Sequence, residues 1–346
     1  MPLRFPHPAP PPAGERSEVA PGVFWLRMPL PFQLDHINLW LLKDGDGWII
    51  VDSGFANDAA RAIWQRIFAS LDGPVRRLIV THFHPDHLGL AAWLMAETGA
   101  ELAMTAAEFL TAHAAWHEIG GHGTPFMLEQ FRQHGLDEER LDQFARRGPG
   151  YRRAVPRLPD HYYRLCGGDV IDIGGRGWQA LIGHGHAPEH LSLYCAEAGV
   201  LISGDMLLPK ISTNISVFAV TPNANPLAWY LDSLAELNRD IPADDTLALP
   251  SHGLPFYGIA NRVAELHAHH AERLQMLEQC CQDAPQSAAS LLEALFPRAL
   301  DTQQTMFAMG EAIAHLNYLE AAGRLSRRVD ADGRIRFQRP PAPAAH

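Results

Sequence analysis

Between Thr81 and His87 the chain reads Thr-His-Phe-His-Pro-Asp-His, so His82, His84, Asp86 and His87 fall within six consecutive positions. Imidazole and carboxylate are the donors that borderline and hard divalent cations select, and core packing gives no reason to concentrate them. The cluster is therefore read as a metal site. The plainer alternative, solvated histidines beside a helix-capping Asp86, does not account for four ligand-type groups in so short a window. The apolar run Arg77-Leu78-Ile79-Val80 before the cluster predicts a strand, and Leu88 to Ala96 after it predicts a helix. In extended backbone His82 and His84 send their rings to one side. Pro85 then limits the backbone, and Asp86 and His87 enter the first helical turn, where the helix dipole favours an acid. Two pairs of ligands thus face two neighbouring points.

The motif His82-x-His84-x-Asp86-His87 resembles the hallmark of the metallo-β-lactamase superfamily of hydrolases. Further matches follow in the superfamily's order: Gly185-His186-Ala187-Pro188-Glu189-His190 before a strand, Val200-Leu201-Ile202-Ser203-Gly204-Asp205 at a strand end, and Leu249-Pro250-Ser251-His252-Gly253 after another. Val51-Asp52-Ser53-Gly54 resembles its early strand-end turn. The resemblance implies a first metal held by His82, His84 and His186, a second held by Asp86, His87 and His252, and Asp205 bridging them. It implies two divalent ions, with zinc as the default and iron or manganese as alternatives. His184 rivals His186, and the Gly-His-x-Pro-x-His context favours His186. His190 is read as a supporting group or the start of a strand.

The elements that must position these residues form two β-rich blocks. Val23 to Met28, His36 to Leu42, Trp48 to Val51, Leu78 to Thr81 and Leu102 to Met104 read as strands, with helices near 57–71 and 88–97. Tyr162 to Cys166, Val170 to Ile173, Trp178 to Ile182, His190 to Cys195, Val200 to Ser203 and Thr246 to Leu249 form the second block, with a helix near 227–238. Such duplicated halves predict an α/β fold, the αββα metallo-β-lactamase sandwich, spanning 17–257 after a disordered Pro-rich tail over 1–16. A helical insertion at 105–160 would be a lid over the metals, or a brace for the fold or a dimer contact. His113 and His117 lie on one face of it, without a carboxylate or thiol to complete a third site.

Beyond 257 a connecting helix spans 258–283, with His267, His269 and His270 expected at its solvated surface. Helices and a hairpin over 284–340 suggest a winged-helix-like domain, similar in pattern to the C-terminal domain of metallo-β-lactamase-like proteins that include endoribonucleases. Arg324, Arg327, Arg328, Arg334, Arg336 and Arg339 exceed Asp330 and Asp332 there by four charges, against -11 for the whole chain. A basic wing could follow phosphates, although no aromatic stripe accompanies it.

With 346 residues, 47% of them hydrophobic and 19% charged, the chain can bury a large core. No transmembrane-length apolar run or secretory leader is read, and Cys166, Cys195, Cys280 and Cys281 form no C-x-x-C pair, so a cytoplasmic protein with reduced thiols is expected. Neither a Gly-x-Ser-x-Gly nucleophile motif nor a Walker-type loop is present. The expectation is a binuclear hydrolase, similar to glyoxalase II, that cleaves a small acyl thioester, ester or lactone, with Asp86 or Asp205 orienting the nucleophile or relaying its proton. Lys210, Asn214 and Tyr257 are candidate substrate contacts, and a homodimer is possible. A nuclease using the basic wing and a non-catalytic scaffold are the alternatives.

Overall fold

The computed structural model describes residues 2–148, 150–242 and 245–340. They divide into two compact units. The first comprises Met1–Trp116, Gly150–Thr213 and Ser233–Val263 and contains both large sheets. One sheet has seven strands in sequence order: β1 Ser17–Ala20, β2 Val23–Pro29, β3 His36–Asp44, β4 Gly47–Val51, β5 Val75–Ile79, β6 Glu101–Met104 and β7 Tyr163–Arg164. Its pairings are antiparallel from β1 to β4 and parallel from β4 to β7. The other sheet runs β12-β11-β10-β9-β8, with β8 Val170–Ile173, β9 Arg176–Gly183, β10 His190–Cys195, β11 Val200–Gly204 and β12 Leu247–Pro250.

Alternation along the strands builds the layers. Trp40 and Leu42 of β3 and Ile49 and Val51 of β4 join Trp178, Ala180, Leu191, Leu193, Val200 and Ile202 of the second sheet in one buried cluster. The intervening Leu39, Leu41 and Ile50 are also buried, because the opposite face is covered as well. Helix Asp58–Ser70 turns Ala60, Ile63, Trp64 and Ile67 inward, and Asn57 caps it by accepting the Ala60 N–H at 2.8 Å. Each fully buried aliphatic side chain contributes roughly 1.5–3 kcal/mol.

Strand direction sets the site. In the second sheet, β9 is antiparallel to β10 and β10 to β11, while β11 and β12 are parallel. β9, β11 and β12 therefore deliver their C-terminal ends to one edge, where β10 begins with His190. In the first sheet, the parallel pair β4 and β5 likewise ends on one edge. The Leu191 N–H donates to the Thr81 carbonyl at 2.9 Å, which ties the two edges together.

The second unit comprises His117–Pro149, Asn214–Asp232 and Ala264–His346. Helix Thr302–Ala321 is its buried axis, started by a capping box between Asp301 and Gln304. In the segment where helices are expected, a 3-10 turn at Ala289–Leu291 is followed by the short helix Leu292–Leu295. The hairpin pairs β13 Ser326–Val329 with β14 Ile335–Gln338.

Two expectations need correction. The Pro-rich segment read as a disordered tail contains Arg4, which exchanges backbone hydrogen bonds with Tyr257 at 3.2 and 2.9 Å, while Phe5 lies against Phe256. Further along, His7 lies edge-on to Trp25 and Arg16 donates to the Ser70 hydroxyl at 2.7 Å, so the segment has defined partners. His270, expected at the surface, is buried, with Nδ1 3.1 Å from Nε2 of His315. All four cysteines are free, and no helix among the described residues is long and apolar enough to cross a membrane.

Candidate metal centre

The predicted ligands come from strand ends on the shared edge and from the short helix that follows β5. Thr81 and His82 follow β5, His186 follows β9, Asp205 follows β11 and His252 follows β12. The chain then turns into the short helix Pro85–Leu88, which carries Asp86 and His87. His82 and His87 are fully buried, and His186, Asp205 and His252 nearly so.

Two neighbouring groups of donors result. Nε2 of His82 lies 2.9 Å from Nδ1 of His84 and 3.2 Å from Nε2 of His186. On the other side, Nε2 of His252 lies 3.5 Å from Oδ2 of Asp86, and Nε2 of His87 lies 3.8 Å from the same oxygen. Asp205 divides its carboxylate between them: Oδ2 is 3.4 Å from His186 Nε2, and Oδ1 is 3.6 and 3.5 Å from Nε2 of His87 and His252. His82–His84–His186, His82–His87–Asp205 and Asp86–His87–His252 each bring their donor atoms within 4.8 Å of one another.

Electrostatics distinguish the two groups. Burial, reinforced by neighbouring imidazoles, pushes His82 far below the ordinary histidine value and His84 down to about 3, so both rings are neutral lone-pair donors. In the second group burial opposes charge, but the carboxylates prevail. Asp52, Asp86 and Asp205 hold His87 well above its ordinary value, and Asp205 with Asp86 lifts His252 to about 10. Conversely, burial alone would raise Asp86 and Asp205, and the surrounding imidazoliums instead take Asp86 down to about 2 and Asp205 well below the usual carboxylate range.

The outer contacts orient the rings, and of them sequence reasoning assigned only His190, as a supporting group or the start of a strand. Asp52, at positive φ just after β4, accepts the His87 Nδ1–H at 2.8 Å and the Thr81 N–H at 2.8 Å. The Thr81 hydroxyl also donates to Asp52, which leaves its lone pairs for His82 Nδ1 at 3.0 Å. His252 Nδ1 donates to the His36 carbonyl at 2.8 Å. His82, His87 and His252 thereby present Nε2 inward. His190 accepts the Asp205 N–H at 3.0 Å, holding the residue that spans both groups. The only sequence signal for Asp52 was its place in a Gly-bearing turn at a strand end.

His184 stands apart: its Nδ1 faces the Pro188 carbonyl at 2.7 Å and its side chain is exposed. Each candidate substrate contact has its own local environment. Lys210 is exposed, Asn214 accepts from the Ser216 hydroxyl at 2.7 Å, and the Tyr257 ring lies under the Arg4 guanidinium at 4.8 Å. His113 faces the Pro159 carbonyl at 3.1 Å and belongs to no donor group.

Residues 33–252 match the family model described as the metallo-beta-lactamase superfamily, and residues 274–340 match that of the metallo-beta-lactamase-like C-terminal domain. The chain belongs to the metallo-beta-lactamase superfamily. A beta-lactamase domain protein from Burkholderia ambifaria has a similar crystal structure, 46% identical, with a TM-score of 0.90 over 98% of each chain. The probable metallo-hydrolase YqjP of Bacillus subtilis is 26% identical, over 86% of this chain and 92% of its own. Partial matches join a linear primary-alkylsulfatase of Pseudomonas sp., 27% identical over 63% of this chain and 42% of its own, and a hydroxyacylglutathione hydrolase of Albidiferax ferrireducens, 25% identical over 52% and 51%.

Proposed function

We propose that this metallo-hydrolase of the superfamily holds two divalent ions and cleaves a small acyl thioester, ester or lactone. The observation that carries the reading is the divided carboxylate of Asp205, whose oxygens face opposite donor groups at 3.4 and 3.5 Å. Two buried atoms test the fit. Nε2 of His87 and Oδ1 of Asp205 lack any hydrogen-bond partner, and such orphans are costly unless a cation satisfies them. In this reading His82, His84 and His186 would hold one ion, Asp86, His87 and His252 would hold the other, and Asp205 would serve both. Zinc is the expected ion, and the same donors suit iron and manganese.

Two such ions, when bound, supply hydroxide near neutral pH and a sink for developing oxyanion charge. The chain's own residues do the rest. Asp205, fixed by His190 at its amide, orients the nucleophile. Asp86 is the more accessible carboxylate, with 21% of its side chain exposed against 10% for Asp205, and would relay the nucleophile's proton to the leaving group. No serine or cysteine nucleophile is required.

The hydroxyacylglutathione hydrolase match supports acyl chemistry, and the alkylsulfatase match makes a sulfate ester the necessary comparison. For a phosphodiesterase the basic hairpin would have to engage phosphates. Most of its arginines already face carboxylates: Arg324 meets Glu278, Arg327 meets Glu320, Arg328 and Arg336 meet Asp330, and Arg334 meets Asp332. This winged-helix-like segment is read as structural. A full donor set argues against a non-catalytic scaffold.

Hydrolysis rates on an acyl thioester, a lactone, a sulfate ester and a phosphodiester, with zinc-loaded and chelated protein, test the reading. Chelator-sensitive cleavage of the thioester or lactone is expected. Cleavage of only the sulfate ester or only the phosphodiester overturns the acyl assignment.

A further inference from the structure

Glu108 stands in the first turn of helix Ala106–Trp116, fully buried, with no ion pair among the described residues. Its two oxygens divide their work. Oε2 accepts the N–H of Phe83, between His82 and His84, at 2.9 Å; Oε1 accepts the N–H of Glu189, in the turn that carries His186, at 2.6 Å. The same helix start is latched to that turn twice more: the Thr105 hydroxyl donates to the Glu189 carbonyl at 3.0 Å, and the Ala107 N–H donates to the Glu189 carboxylate at 3.3 Å. Phe83 is held from a further direction, because the Tyr151 hydroxyl donates to its carbonyl at 2.6 Å.

We propose that Glu108 is a positioning residue that fixes the separation between the loop of His82 and His84 and the turn of His186, and so governs how firmly the three-histidine group retains its ion. The inference rests on the two-ion reading above. Only a carboxylate can accept at both oxygens; an amide in its place offers one acceptor and sets its NH2 against the other backbone N–H. Burial pushes Glu108 up to about 7, so the fold retains this group at an electrostatic cost. Among the described residues Asp86, His87 and His252 have no hydrogen bond to Glu108, and His87 senses it only as a charge weaker in effect than that of Glu189, so the second ion should be affected less.

The test compares zinc retention in the wild-type chain, Glu108→Gln and His84→Ala by competition with a coloured chelator, with the unfolding midpoint of each metal-free protein alongside. In E108Q one of two ions should be lost about 10–100-fold more readily, as for other groups that support metal ligands. It should be the ion that H84A loses, and the metal-free midpoint should stay near that of wild type. Equal weakening of both ions with a lowered metal-free midpoint would mean a general structural role and overturn the proposal, as would unchanged retention. If E108Q does not fold, Glu108→Asp keeps both acceptors on a shorter stem and should show a smaller loss of the same ion. A wild-type chain that binds no ions overturns the two-ion reading itself; two firmly held ions with an indifferent variant overturn only the role of Glu108.

Discussion

The Asp52 carboxylate accepts the Nδ1–H of His87 at 2.8 Å, and both side chains are almost completely buried. This contact fixes the ring so that Nε2 faces Asp86 and Asp205. It also explains why a non-glycine residue is held at a φ of 64° immediately after a strand, a conformation that Asp tolerates better than most residues. Asp52→Asn keeps the shape and the backbone tolerance but removes the charge. It should weaken metal retention or activity by about 10–100-fold, measured by chelator competition and initial rates, with little change in the KM of any substrate cleaved.

Metal uptake should release protons. In the metal-free chain His252 is raised to about 10 and His87 lies well above its ordinary value, so both carry protons at pH 7. A cation must displace them, and apparent affinity should rise with pH. Calorimetric titrations of the chelated protein with zinc, in buffers of different ionisation enthalpy, should give release of about two protons per chain from these rings at pH 7, with any hydroxide formed adding to it. Absence of proton release would show that these rings are neutral before binding.

Acid should destabilise the second unit. Burial lowers His134 from 6.5 to about 3, and its ring lies nearly parallel to Phe337 at 6.1 Å. A folded-state value below the unfolded one means that the stabilisation is complete above about 6.5 and is lost as pH falls toward 3. Between neutrality and pH 5 this single group costs about 2 kcal/mol. His134→Phe should flatten the dependence of the denaturation midpoint on pH by about one proton over that interval.

Gly89 follows the ligand-bearing helix Pro85–Leu88. A methyl group there would collide with the Pro85 carbonyl and lie 2.9 Å from the Ala56 nitrogen, both backbone atoms. Gly89→Ala must therefore shift the turn holding Asp86 and His87. A loss of about 1–3 kcal/mol in stability is expected, accompanied by weaker metal retention. Denaturant unfolding of the chelated protein separates the first effect from the second.

Several elements were legible because the local pattern and the tertiary environment agree. Val170 to Ile173 and His190 to Cys195 begin and end as their sequences indicate. Misjudged ends lie where distant groups take over the backbone. The strand expected to reach Thr81 stops at Ile79, since the Thr81 N–H goes to Asp52 rather than to a neighbouring strand. The helix expected over 88–97 is interrupted at Gly89 and Leu90, where the Leu90 N–H turns to Gly54 and the Ser53 hydroxyl.

The sequence alone determined the kinds of donor and their order along the chain, because an apolar strand followed by a short turn of His and Asp is a local pattern with a local cause. The partnerships that make those donors a site were decided by the tertiary structure. Asp52 meets His87 across 35 positions, and Glu108 reaches Phe83 across 25 and Glu189 across 81. Each depends on where the strand ends are brought together, and a carboxylate that supports a ligand has the same local signature as one that caps a helix.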